Sequence, residues 1–216
     1  MDYKTNYNGS YGDRKTRYEF LLDNFKDFIH GNVLDVGCDE KYLKSILDQS
    51  INYVGIDITG NPDIVVDIES IPLPFEDKEF DVICCLDVLE HLNDPYSTFD
   101  ELSRISNKFI IISLPNNYYI WERLRIMRGM KPNKYYGLPI SFPSDRHKWF
   151  FNIYDATEFI KVNARSAGFR VVREFPFYKT DGIYGIGLLR NFLKKIGALP
   201  NLFAASYWAV MERQNL

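Results

Sequence analysis

The stretch Asp35–Leu43, DVGCDEKYL, comes directly after the apolar residues of NVL and decides how the rest of the chain is read. An apolar run that breaks at a glycine and passes into a helix-forming pattern is a buried strand turning into a crossover. Gly37 can take a backbone conformation closed to other residues and lets a ligand approach the main chain. Asp39 and Lys41 stand where a nucleotide-binding turn would carry two further glycines. Local helix chemistry offers one explanation, since Asp39 is a good N-cap and Glu40 suits the positive end of a helix.

On the N-terminal side of this turn, residues 1–10 are polar and are expected to form a flexible lead. A helix is expected from about Gly12 to Phe28, with Tyr18, Leu21, Leu22, Phe25, Phe28 and Ile29 at helical spacing. On the C-terminal side, short apolar runs alternate with helical patterns: KYLKSILDQ, NYVGIDI, IVVDI, FDVICCLDV, PYSTFDELSRIS, KFIIISLP. Continuously apolar strands separated by crossovers indicate a parallel sheet covered on both faces. Only nine residues, including Gly60 and Pro62, separate Asp57 from Asp67, so a loop or single turn is expected there instead of a helix. The pattern resumes with a helix in DATEFIKVNARSAGF, a strand in RVVREFPFY, an apolar helical segment around Gly185 to Ile196, and a last strand in FAASYWAVMER. The two final strands are expected to pair as an antiparallel, hairpin-like edge.

Bulk composition narrows the class. With 216 residues, 46% of them hydrophobic, the chain suits one well-buried domain spanning 1–216. A net charge of -3 argues against nucleic acid as a partner. Cys38, Cys84 and Cys85 lie in apolar runs without the Cys/His spacing of a metal site, so no metal is expected and buried, reduced thiols are. No apolar run approaches the ~20 residues of a spanning helix, and the polar N-terminus has no signal core. A soluble, cytoplasmic protein is expected.

In an open parallel sheet, ligands collect outside the carboxyl ends of the strands. Four ends line up here: Asp35-Val36-Gly37-Cys38; Asp57, an acid 22 positions beyond Asp35; Asp67-Ile68; and Cys85-Leu86-Asp87. In this order, and together with "FDVI" and "LEHL", they resemble the class I S-adenosylmethionine-dependent methyltransferases, closely over Val33 to Pro115 and in outline beyond. The resemblance implies a Rossmann-like α/β fold: a seven-stranded, mostly parallel sheet with an antiparallel last strand and helices on both faces. It implies S-adenosylmethionine as cofactor. Asp57, flanked by Ile58, would then meet the ribose hydroxyls, and Asp67 and the Ile68 backbone the adenine. Asp35, Gly37, Cys38, Asp39 and Leu86 would surround the methionine part, with His91 beside the cleft. Asp39 and Lys41 depart from the family's D-x-G-C-G-x-G pattern; their side chains would replace backbone contacts to the cofactor or crowd it out.

The stretch 116–152, after the fifth strand, is read as a lid over the cleft. It carries seven Lys and Arg residues against Glu122 and Asp145, together with many aromatics, which points to an anionic substrate. Tyr118, Trp121, Arg146 and Trp149 are the candidate substrate contacts, and His147 and His91 the candidate catalytic groups, because an oxygen nucleophile benefits from a base. A small phosphorylated or sugar-nucleotide acceptor and a lipid-linked acceptor both fit; in the second case the segment YIWERLRIMRGM would lie on a membrane surface. A monomer and a homodimer are both compatible with the sequence. Two rivals remain open on residues alone. A nicotinamide-dependent oxidoreductase would share the glycine turn and the second-strand acid, though its G-x-G-x-x-G is missing; a catalytically degenerate binding module would account for the substituted loop.

Overall fold

A computed structural model describes residues 7, 10–131, 146–179, 192 and 199–214. Seven strands form one sheet: β1 (Asn32–Val36), β2 (Asn52–Asp57), β3 (Ile64–Val65), β4 (Phe80–Leu86), β5 (Ser106–Pro115), β6 (Phe169–Phe177) and β7 (Ser206–Arg213). Their spatial order is β3-β2-β1-β4-β5-β7-β6. Pairing is parallel from β3 across to β5, while β7 runs antiparallel to both of its neighbours. The expected sheet is therefore present, with the expected antiparallel pair at its edge; within that pair β6 is outermost and β7 interior. Tyr207 to Met211 are all buried, as a strand hydrogen-bonded on both sides and covered on both faces requires.

Alternation along the strands sorts the core into two layers. Val82, Cys84 and Leu86 of β4 face α1 (Arg14–Phe25), and Ile83 and Cys85 face α3 (Pro95–Ile105) and α5 (Ile153–Ser166). Helix α1 begins at a capping box in which Asp13 accepts from Thr16 N (2.8 Å) and Thr16 Oγ1 accepts from Asp13 N (3.2 Å). Helix α3 opens on Asp94 with Pro95 at its first turn, and α5 opens on Asn152, which accepts from Tyr154 N (2.8 Å). Beneath α1 the sheet carries an aromatic layer. Trp208, fully buried, stacks on Phe25 with ring centroids 5.7 Å apart and donates to the Tyr11 hydroxyl (3.2 Å).

The crossover after β1 holds only a short helix, α2 (Tyr42–Ile46), and no helix lies between β2 and β3. The N-terminal lead differs from expectation at one point. Tyr7 is buried against Phe175 (4.8 Å) and bonded through its hydroxyl to Tyr178 N (2.7 Å), so the chain is anchored ahead of α1. After β5 the chain passes into α4 (Ile120–Met127), and the stretch expected to be a lid is described again at residues 146–152; a four-residue helix, α6 (Pro200–Phe203), precedes β7. The middle of the lid and the expected helix around Gly185 to Ile196 lie outside the described residues, except for Phe192. Among the described residues, no helix is long and apolar enough to cross a membrane.

Candidate active site

The turn after β1 keeps the backbone of a glycine-rich loop without the glycines. Gly37, Asp39 and Lys41 all have left-handed φ, at 73°, 51° and 55°. A residue with a Cβ pays roughly 1–2 kcal/mol for this, least for Asp, whose short polar side chain bonds locally. Neighbouring bonds hold the shape. Asp39 N donates to Asp57 Oδ2 (2.9 Å), Asn61 N donates to Asp39 O (2.9 Å), and Lys41 N donates to Cys38 O (2.8 Å). The two substituted side chains turn to protein partners. The Asp39 carboxylate lies 2.5 Å from Arg14, and Lys41 Nζ lies 3.0 Å from Asp63, which also accepts from Gly55 N. A Cβ at Gly37 would come within 2.7 Å of Val88 Cγ2, so the loop is pressed against the end of β4.

Asp57 ends β2 with Oδ1 accepting from Thr59 N (3.1 Å); Ile58 beside it is exposed. Asp67 is exposed on the loop after β3 and accepts from Glu69 N (2.9 Å), while the Ile68 side chain is buried. Cys38 and Leu86 are buried as well. Asp35 sits apart from this group. By strand alternation it faces α1, where it is enclosed and accepts from Tyr18 Oη (3.1 Å) and Tyr53 Oη (2.8 Å). Burial, opposed by these two hydrogen bonds, pushes its carboxyl up to about 7. It braces the strand from below.

The ends of β4 and β5 border a cavity of about 480 Å³, and a second of about 280 Å³ adjoins it. Arg17 and Asp87 line both. Asp87, itself at φ 54°, takes a hydrogen bond from Ser113 Oγ (2.6 Å) and is paired with the Arg17 guanidinium. Burial works against the charge on Arg17; the Asp87 carboxylate outweighs it and holds the guanidinium above its ordinary pKa. Arg17 Nε has no hydrogen-bond partner among the described residues. His91, His147 and Glu90 share the wall of the larger cavity with Asn117 and with Glu122 of α4.

The two ends of the 116–152 stretch are tied together at this wall. Asn117 N donates to Phe151 O (2.8 Å), and Phe151 N returns a bond to Asn117 Oδ1 (2.9 Å). That orients the Asn117 amide, so its NH₂ faces His147 Nδ1 at 3.0 Å and places the proton of the neutral ring on Nε2. Lys148 N and Trp149 N both donate to Glu90 O (2.8 and 3.1 Å), clamping the returning lid onto the turn that bears His91.

The predicted residues thus separate into two groups. Gly37, Asp39, Asp57 and Asp67 gather at one end of the sheet edge, and His91 and His147 meet 4.6 Å apart, centroid to centroid, at the other. Tyr118, Trp121, Arg146 and Trp149 do not line the cavity. Trp149 instead bonds Leu92 O through its indole (2.9 Å), and Tyr118 packs under Arg123. Sequence reasoning missed Arg14, Arg17 and Asn117. Asn117, which abuts the predicted Tyr118, was reachable from its place just after a strand end; nothing in helix periodicity marks which polar residues of α1 turn towards a cleft.

No curated protein matches the sequence. Among solved structures, the fold is shared by an S-adenosylmethionine-dependent methyltransferase from Archaeoglobus fulgidus, with a TM-score of 0.60 and 19% identity over 94% of this chain and 95% of that one. It is shared also by one from Clostridium acetobutylicum (0.59, 11%, covering 94% and 93%). A third is the magnesium protoporphyrin IX methyltransferase of Synechocystis with bound S-adenosylhomocysteine (0.56, 17%, covering 93% and 81%). Residues 11–174, which hold the substituted loop, both arginines of α1 and the histidine pair, match the family model of the methyltransferase domain. The methyltransferase match decides against the nicotinamide reading, and the chain belongs to the class I S-adenosylmethionine-dependent methyltransferases.

Proposed function

We propose that the enzyme methylates a small anionic acceptor, at oxygen, in the cavity at the ends of β4 and β5. The observation that carries this reading is Arg17: a guanidinium 9% exposed, charged, lining both cavities, with one N–H unclaimed among the described residues. Buried cations of this kind are suited to planar carboxylate and phosphate groups. Arg14 lines the same cavity and reaches the cofactor loop through Asp39, which joins the two halves of the site.

The loop fits the cofactor in two respects. Its backbone keeps left-handed turns at Gly37, Asp39 and Lys41, and the side chains of Asp39 and Lys41 are drawn aside to Arg14 and Asp63. When bound, S-adenosylmethionine supplies a methyl group activated on a sulfonium. On this reading Asp57 receives the ribose hydroxyls, and Asp67 and the Ile68 main chain flank the adenine beside Ile58. The main chain of Gly37, Cys38, Asp39 and Leu86 surrounds the methionine part. Arg17 orients the acceptor, and the tied lid excludes water from it. Methylation at oxygen calls for a device that eases loss of the acceptor's proton; the imidazoles of His91 and His147 stand at the cavity wall.

A lipid-linked acceptor is favoured by one feature, α4 and the residues that follow it. Trp121, Ile126, Met127 and Met130 are exposed there, interspersed in sequence with Arg123, Arg125, Arg128 and Lys131, a composition suited to an anionic membrane surface. The three cysteines are free and buried, in keeping with a reducing cytoplasm.

Calorimetric titration with S-adenosylmethionine and S-adenosylhomocysteine tests the cofactor half. Wild type binds, and Asp57→Ala loses about ten- to a hundredfold, the worth of a charged hydrogen bond. Labelled methyl transfer to a cell extract tests the other half. Label enters anionic water-soluble compounds with wild type and falls with Arg17→Met, which still binds cofactor; label in the lipid phase selects the lipid-linked acceptor. Cofactor binding with label only in neutral or cationic products overturns the anionic assignment.

A further inference from the structure

We infer that Glu90, His91 and His147 bind a divalent first-row transition ion at the cavity wall, with open positions for an oxygen of the acceptor. The binding site stands on the residues alone; the use of the open positions deepens the methyl-transfer reading and rests on it.

Two imidazoles and one carboxylate are a donor set that takes zinc, iron or manganese and leaves coordination positions vacant. One ligand atom from each residue lies within 4.8 Å of the other two, and Glu90 Oε1 lies 3.7 Å from His91 Nε2. Ligands ~2.1 Å from a common ion sit ~3 Å apart at a right angle and ~3.5 Å apart at a tetrahedral one. The observed pair needs to close by only a few tenths of an ångström. The rings of His91 and His147 stand edge to face at 86°, with centroids 4.6 Å apart.

The placement is built by the main chain. Glu90 O receives the N–H groups of Lys148 and Trp149, which carries His147 to the turn holding the other two ligands. The Glu90 carboxylate is 1% exposed, so an ion held there would be shielded from bulk water on that side. One contact opposes the ion. The Asn117 NH₂ facing His147 Nδ1 holds the ring proton on Nε2, whereas metal-bound histidines ordinarily donate from the nitrogen that is not ligating. Ion capture through Nε2 must move that proton to Nδ1 and displace the amide. A carboxylate at position 117 would instead accept it.

The test uses the full chain, without a histidine tag and stripped with chelator. It is titrated with Zn²⁺ and with Mn²⁺ by calorimetry in the absence of cofactor, and Co²⁺ uptake is followed by visible absorption. One ion per chain is expected, with Glu90→Gln and His147→Gln each weakening binding by about tenfold or more. Asn117→Asp should tighten binding, and His30→Gln should leave it unchanged. No uptake by wild type, or uptake that survives both Glu90→Gln and His147→Gln, overturns the inference. Should thermal melting show those two variants unfolded, Asn117→Asp decides: an affinity equal to that of wild type overturns the site. Ion binding without S-adenosylmethionine binding would remove the methyl-transfer reading and leave the ion site, and the reverse result would do the opposite.

Discussion

Replacing Asp35 by Asn should change how stability depends on pH, by an amount the structure sets. Burial raises this carboxyl from an ordinary 3.8 to about 7, against the pull of the hydroxyls of Tyr53 and Tyr18. Folding therefore favours the protonated form. Its contribution is fully present below the unfolded value near 4 and is lost as pH rises through about 7. Above that, ionising the enclosed group penalises the folded chain by about 4 kcal/mol, reduced by whatever relaxation lets water in. A carboxamide has the same shape, carries no charge, and can accept from one phenol and donate to the other. Urea unfolding of both proteins between pH 4 and 9 gives a difference curve in which all other titrations cancel. Wild type should lose about 2–4 kcal/mol relative to Asp35→Asn between pH 5 and 8. Curves that stay parallel within about 0.5 kcal/mol would refute the assignment of a buried, proton-binding carboxyl beneath the Gly37 turn.

Three other substitutions probe the same architecture. Gly37→Ala should lose at least about 1–2 kcal/mol in urea unfolding from its left-handed φ, with a further steric loss against Val88; adding Val88→Ala should restore only the steric part. Lys41→Gly should be more stable than Lys41→Ala by about 1 kcal/mol, since both lose the contact with Asp63 and only glycine relieves the backbone; equal stabilities would show the turn unstrained. Trp208→Ala should lose about 3–5 kcal/mol, and a loss under 1 kcal/mol would mean that the aromatic layer does not hold α1 to the sheet.

Much of the frame could be read along the chain because its signals are short-range. Alternation within FDVICCL, the glycine after DV, and the nine residues between Asp57 and Asp67 each act through neighbours in sequence, and they predicted the parallel strands, the turn and the missing helix. The antiparallel pairing of the last two strands was legible as well, though not their order in the sheet. A fully apolar strand announces that it is interior, but which neighbours it joins depends on the return path of the chain, and β7 slots between β5 and β6. The substituted loop shows the opposite case. Asp39 and Lys41 look like lost glycines by residue type, yet a hydrogen bond donated to Asp57 and one accepted from Asn61 hold Asp39 in the glycine conformation.

The sequence by itself determined the α/β sheet, the acids at its strand ends and the presence of three histidines, because hydrophobic periodicity and turn chemistry are local. Only the tertiary structure decided what those residues do together. It carried Arg17 from a helix face to Asp87, 70 positions away, and brought His147 from a returning lid onto Glu90 and His91. It also turned Asp35 away from the cleft into a cage of two tyrosines. Such meetings follow from the packing of distant segments over one sheet, where burial and charge pairing act between residues that share no pattern in the chain.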